Sequence, residues 1–182
     1  MTDTDPSPPT TDETPPWLDA AQLTTWVTLM AFMEHFPADI EAQLKRDSGL
    51  NRFEYTAMAM LSEHDGHELA MSDLAGVAFG SLSRLSHAVT RLEARGWVER
   101  EPGSGGRRHN VVRLTDDGLA AMQEASAHHV RHVDEVFVQP LTDDEVEALG
   151  TICAKLLLAT SAEVGDLLDR MIPEVVARNL DG

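Results

Sequence analysis

A chain of 182 residues, 42% of them hydrophobic, is long enough for one domain with an extension and apolar enough for a real core, which excludes a disordered polyampholyte. Its 31 acidic and 14 basic residues give a formal charge of −17, so an anionic partner can be held only where the basic residues are concentrated. The single cysteine, Cys153, excludes an intrachain disulfide and a cysteine-rich zinc site; no apolar run approaches the roughly 20 residues of a membrane span, and the opening MTDTDPSPPTTDETPP has neither the basic start nor the apolar stretch of a signal peptide, so a cytoplasmic location is expected.

Residues 1–16 are proline, threonine, serine and acid, and read as a disordered tail. From Trp17 to Arg46 the pattern is helical. Leu23, Trp26, Met30, Met33, Pro37, Ile40 and Leu44 alternate spacings of three and four, a heptad seam, with Pro37 placed to kink it. After DSGLN, Asn51 and Glu54 form a capping-box pair for a second helix through RFEYTAMAMLSEH. DGHELA turns into a short extended piece, SDLAGVAF is a short third helix, and a fourth runs from about Ser81 to Arg95, with Gly96 as its C-terminal glycine. WVERE and NVVRL are strands joined by PGSGGRRH as a hairpin. Thr115 caps a fifth helix, acidic in its first turn and reaching about Phe137. Thr142 and Glu145 box the start of a sixth, whose seam is Val146, Leu149, Cys153, Leu156 and Thr160 and whose apolar pattern continues to Val164, Leu167 and Met171.

The net charge conceals a segregation. Residues 81–113 hold seven arginines and three glutamates, a local charge of +4, against −21 for the remainder. At 100° per residue, Leu82, Leu85, Val89 and Leu92 form the core face of the fourth helix, and Ser83, Arg84, His87, Thr90 and Arg91 the opposite face. Short hydroxyls allow approach to a groove floor, Arg84 has the donor geometry for guanine, and Arg91 and Arg95 lie where phosphate contact is expected. A short helix, a glycine turn and this basic helix make a helix-turn-helix. The following hairpin supplies a wing whose tip, Arg107 and Arg108, suits a minor groove. The DNA-binding candidates are Ser81, Ser83, Arg84, Ser86, His87, Thr90, Arg91, Arg107 and Arg108. The bland alternative is a solvated arginine-rich surface. The two terminal seams favour a homodimer, with packing inside one subunit as the alternative.

The stretch MSDLAGVAFGSLSRLSHAVTRLEARGWVEREPGSGGRRHNVVRLTDDG resembles the winged helix-turn-helix of MarR-type transcriptional regulators, and the resemblance extends over roughly residues 20–165. It carries SDLA, the S.SR……RLEARGWVER helix and strand, RR at the wing, and LTDDG. It implies a mainly α fold with a small β-hairpin wing, a winged helix-turn-helix flanked by N- and C-terminal dimerisation helices. The implied division is a tail at 1–16, a dimerisation helix at 17–47, a DNA-binding lobe at 50–115 and dimerisation helices at 116–182. It also implies a homodimer on a pseudo-palindromic operator in double-stranded DNA, often released by a small phenolic or aromatic ligand. One departure stands out: the family wing carries Asp-x-Arg, and here Gly106 occupies the acid position before Arg108, which predicts a more mobile wing.

Trp26, Met30, His35, Tyr55 and Met58 are candidates to line an effector cleft, the alternative being plain core. His128, His129 and His132 have the spacing of metal ligands, but with no cysteine near and only Asp134 and Glu135 in support a surface histidine cluster is expected, so no metal and no cofactor are assigned. Cys153, on an apolar seam without a basic neighbour, is expected to be a buried inert thiol. No nucleophile–base pair or phosphate loop points to an enzyme. A homodimeric, ligand-responsive regulator, expected to repress, is therefore weighed against a winged-helix interaction module or anti-regulator that no longer binds DNA.

Overall fold

The computed structural model describes residues 15–102, 110–161 and 164–165. The elements are α1 (Ala20–Ser48), α2 (Arg52–Glu63), a 3-10 turn (Asp65–His67), β1 (Glu68–Ala70), α3 (Met71–Val77), α4 (Leu82–Ala94), β2 (Val98–Pro102), β3 (Asn110–Leu114), α5 (Asp116–Val133), a π-helical turn (Asp134–Val138) and α6 (Asp143–Thr160). This is a mainly α chain with one small antiparallel sheet. The chain divides into two compact units, one ending at Ala38 and the other beginning at Asp39. Pro37 does not end α1, which continues through it; the division follows one residue later.

The helix ends follow from local chemistry. Asn51 accepts from Glu54 N–H at 2.9 Å while the Glu54 carboxylate accepts from Asn51 N–H at 3.0 Å, satisfying two amides that a helix start leaves open. Thr142 and Glu145 repeat the device at α6. Ser81 caps α4 by accepting from Arg84 N–H at 3.2 Å. Thr115 caps α5 by accepting from Gly118 N–H at 3.0 Å, and its hydroxyl donates to the Gly96 carbonyl at 2.7 Å. One side chain thereby joins the turn after α4 to the start of α5.

The sheet has the order β1-β3-β2, so the expected hairpin has a third strand on its far side. Leu69 and Arg100 both face Val112 across the ladder, and Glu68 and Glu99 both face Arg113. The core lies between α2, α3, α4, α5 and this sheet: Met58, Leu61, Leu74, Leu85, Val89 and Val112 are fully buried. Burying each such side chain contributes about 1.5–3 kcal/mol. Leu82, placed on the core face by helical spacing, is instead 55% exposed; as the first residue of α4 it precedes the first full turn of contact. Cys153 corrects a second expectation: it is exposed on α6. The expected extension of the α6 pattern to Leu167 and Met171 lies outside the described residues.

Candidate nucleic-acid interface

The amphipathic pattern of α4 fixes which face it offers. Leu85, Ala88, Val89 and Leu92 are buried, which turns Ser83, Arg84, His87, Thr90 and Arg91 outward. No carboxylate lies on this exposed strip; Glu93, at its edge, is paired with Arg100 (Nε to Oε2, 3.4 Å). Ser86 is half-buried, and its carbonyl accepts from Arg100 at 3.0 Å. Thr90 receives a second Arg100 N–H on its hydroxyl at 3.0 Å. The first strand of the wing is thus sewn to the outer edge of α4. Arg107 and Arg108, the predicted wing tip, lie outside the described residues, and so does Gly106.

The structure changes the meaning of the local charge. Arg113 is held between Glu68 and Glu101 across the sheet, and hydrogen bonding to Glu68 first, then the charge of Glu101, raises its pKa further. Arg91 forms an ion pair with Glu54, a carboxylate only 7% exposed. Arg95, expected near phosphate, donates to the carbonyls of Ser48 and Gly49 at 3.0 and 3.2 Å and stacks on Trp97, 3.4 Å from the ring centre. These arginines brace the lobe. Arg84 differs: among the described residues no carboxylate lies within ion-pair distance, and its guanidinium rests 4.3 Å over the Phe53 ring. The face is narrower and less charged than the sequence count implies, yet hydroxyls, an imidazole and cations occupy it without an acid.

The predicted effector residues separate between the two units. Trp26, Met30 and His35 are exposed in the N-terminal one. In the other, Met58 is fully buried in the core, and Tyr55 is half-buried with its hydroxyl 3.5 Å from Ser126 Oγ.

Of the histidine cluster, His129 and His132 face the C-terminal part of α1. His132 Nε2 meets Asp39 at 2.7 Å. His129 Nδ1 lies 3.0 Å from Oε1 of the buried Gln43, whose Nε2 donates to Asp47 at 2.9 Å. Oε1 is therefore the acceptor, and His129 carries its ring proton on Nδ1. No group of three or more His, Cys, Asp or Glu among the described residues is placed to hold a metal ion.

Burial, and secondarily the neighbouring His132, hold the His129 pKa below its ordinary value, so the folded state prefers the neutral ring that packs on Tyr55 with centroids 4.5 Å apart. In the unfolded chain the imidazole titrates near 6.5. As pH falls below that value the unfolded chain takes the proton first, and stability present above it is lost as pH passes through the lower, folded pKa. The urea midpoint is expected to fall between about pH 7 and 5, and His129→Gln is expected to flatten that part of the profile. An equally steep profile in the variant would assign the acid sensitivity to other groups.

No helix of the described residues is long and apolar enough to cross a membrane. A model of the MarR family matches residues 48–109, a span that holds α2 through β2 and stops short of β3. The chain is 32% identical over 81 residues to the multiple antibiotic resistance protein MarR of Salmonella typhimurium, covering 44% of this chain and 54% of that protein. It is 25% identical over 108 residues to the HTH-type transcriptional regulator PecS of Dickeya dadantii, covering 59% and 64%. The chain thus spans between half and two thirds of these relatives' length. Two solved structures from Streptomyces coelicolor match more fully. Sco3205, a MarR family transcriptional regulator in complex with DNA, superposes with a TM-score of 0.75 at 32% identity over 80% of this chain and 91% of its own. AbsC, of the same family, gives 0.72 at 31% over 81% and 97%.

Proposed function

This chain belongs to the MarR family of transcriptional regulators, and on that premise we propose that it is a homodimeric DNA-binding regulator, a repressor, whose α4 enters the major groove of a pseudo-palindromic operator. The observation that carries the reading is the acid-free exposed face of α4, set beside a wing and held by a core of five packed elements. Ser83, Arg84, His87 and Thr90 are the groups for base edges, and Arg91 the cation for the backbone. Sco3205, bound to DNA, supports the same use of this fold.

The dimer rests on apolar faces at both ends of the chain. Leu23, Trp26, Val27, Met30 and Met33 of α1 and Ile152 and Leu156 of α6 are all 41% exposed or more. Stripes of this kind are ordinarily covered, and a second copy presents the same stripe by symmetry. These segments correspond to the dimerisation helices at 17–47 and 116–182, with the DNA-binding lobe between them. A small aromatic effector belongs to the same proposal, with Tyr55 its candidate contact in the lobe. The competing reading, an interaction module without DNA affinity, draws on the internal pairing of Arg91, Arg100 and Arg113.

A footprint on the region upstream of the protein's own gene tests the proposal. A dimer should protect two half-sites about one helical turn apart as one continuous stretch. Protection of a single isolated half-site, or none at saturating protein, contradicts it.

A further inference from the structure

Beneath the turn between α3 and α4 lies a small pocket, about 120 Å³, lined by Arg52, Phe53, Thr56, Ala78, Phe79 and Arg84. We propose that it is a phosphate clamp, in which Arg52 and Arg84 together grip one phosphodiester of the DNA backbone while Phe79 forms the apolar wall against the adjoining deoxyribose. The inference deepens the DNA-binding reading and rests on it. It adds Arg52, which the sequence pattern did not single out, and it moves Arg84 from base reading to the backbone.

Four observations converge. Arg52 and Arg84 line one pocket, and among the described residues neither has a carboxylate within ion-pair distance, whereas Arg46, Arg91, Arg100 and Arg113 each have one. Two unneutralised cations on one concavity repel each other, and a shared anion relieves that repulsion. The second observation is position: the Arg84 guanidinium rests 4.3 Å over the Phe53 ring, which places its charge at the pocket before any ligand arrives.

The third is strain. Phe79 has φ +53° and is 51% exposed. A bulky side chain in the left-handed region is an outlier that persists where surrounding structure enforces it, and such positions gather at binding sites. The enforcement is visible next door, because a Cβ on Gly80 would stand 2.4 Å from the Phe53 ring. The fourth is that the Arg52 and Glu54 amides at the start of α2 are already occupied. Arg52 N–H donates to Glu41 at 2.8 Å and Glu54 N–H to Asn51 at 2.9 Å. Recognition therefore falls to the Arg52 and Arg84 side chains.

The test is fluorescence anisotropy of full-length protein, as wild type, Arg52→Ala, Arg52→Lys and Arg84→Ala, on the upstream fragment and on a random duplex at four salt concentrations. Each alanine variant should lose affinity on both duplexes by the same factor, and the slope of log K against log salt should become shallower by about 0.9 for the phosphate released. Arg52→Lys should keep the wild-type slope, because a point charge still neutralises a phosphate. Arg52 is exposed, so its alanine variant should melt with the wild type. Unchanged affinity and slope in Arg52→Ala, on DNA that the wild type binds, overturns the clamp alone; a selective loss on the upstream fragment by Arg84→Ala overturns its backbone assignment. A wild type that binds neither duplex overturns the DNA-binding reading and the clamp together.

Discussion

Gly118→Ala is expected to destabilise the protein by about 3 kcal/mol, the upper end of the cost of overpacking. A Cβ at Gly118 would stand 1.9 Å from the Trp97 carbonyl oxygen and 2.8 Å from its carbon. These are backbone atoms, so no rotamer change relieves the clash. The same carbonyl accepts from Thr115 N–H at 3.1 Å, and Thr115 in turn caps α5 through Gly118 N–H. To admit the methyl group, α5 must shift away from the start of β2, which opens the Thr115–Trp97 bond. Alanine's better helix propensity returns only about 1 kcal/mol, so the clash decides the sign. For a chain of this size the loss corresponds to a Tm lower by about 6–12 °C, read by thermal circular dichroism. A Tm equal to or above that of the wild type would mean that α5 can move off Trp97 freely, and that Thr115 does not bind the two elements rigidly.

Glu54→Gln should move stability and DNA affinity in opposite directions. The Glu54 carboxylate, nearly buried, accepts from Asn51 N–H with one oxygen and takes the Arg91 guanidinium with the other. Glutamine can still complete the capping box, but its amide nitrogen is a donor and cannot accept from Arg91. Loss of a charged hydrogen bond at a buried site costs about 1.5–3 kcal/mol, seen as a lower urea midpoint. Arg91, already 56% exposed, is then released on the outer face of α4. Affinity for any duplex should rise several-fold at low salt, with log K falling more steeply against log salt by about 0.9. Lower stability with unchanged affinity would show that Arg91 braces the lobe and takes no part in DNA contact.

The contrast between these sites explains what could be read from the chain in advance. Caps are local: Asn51 with Glu54, Thr115 with Gly118 and Thr142 with Glu145 act over three residues, so residue type and spacing suffice to place them. The order of helices and the wing strands follows from the same short-range signals, joined by the family resemblance. Ion pairs are not local. Arg91 meets Glu54 across 37 positions and Arg113 meets Glu68 across 45, so a charge count over residues 81–113 sums arginines whose acids come from elsewhere in the fold. β1 was legible only as an extended piece, because three residues are too few to show an alternation, and its partner β3, the second strand of the wing, lies more than 40 positions on. Arg52 left no sequence signal at all; it matters only because the turn at Phe79 and Gly80 folds back over Phe53.

The central claim is that this acidic chain carries a basic, sequence-reading surface. The direct measurement is anisotropy of the wild-type protein on the duplex upstream of its own gene, against random DNA, across a salt series. Tighter binding to the upstream duplex is expected, with log K on both falling linearly against log salt by about 0.9 per phosphate neutralised. Absence of binding to either duplex at low salt, by protein shown to be folded, would contradict it.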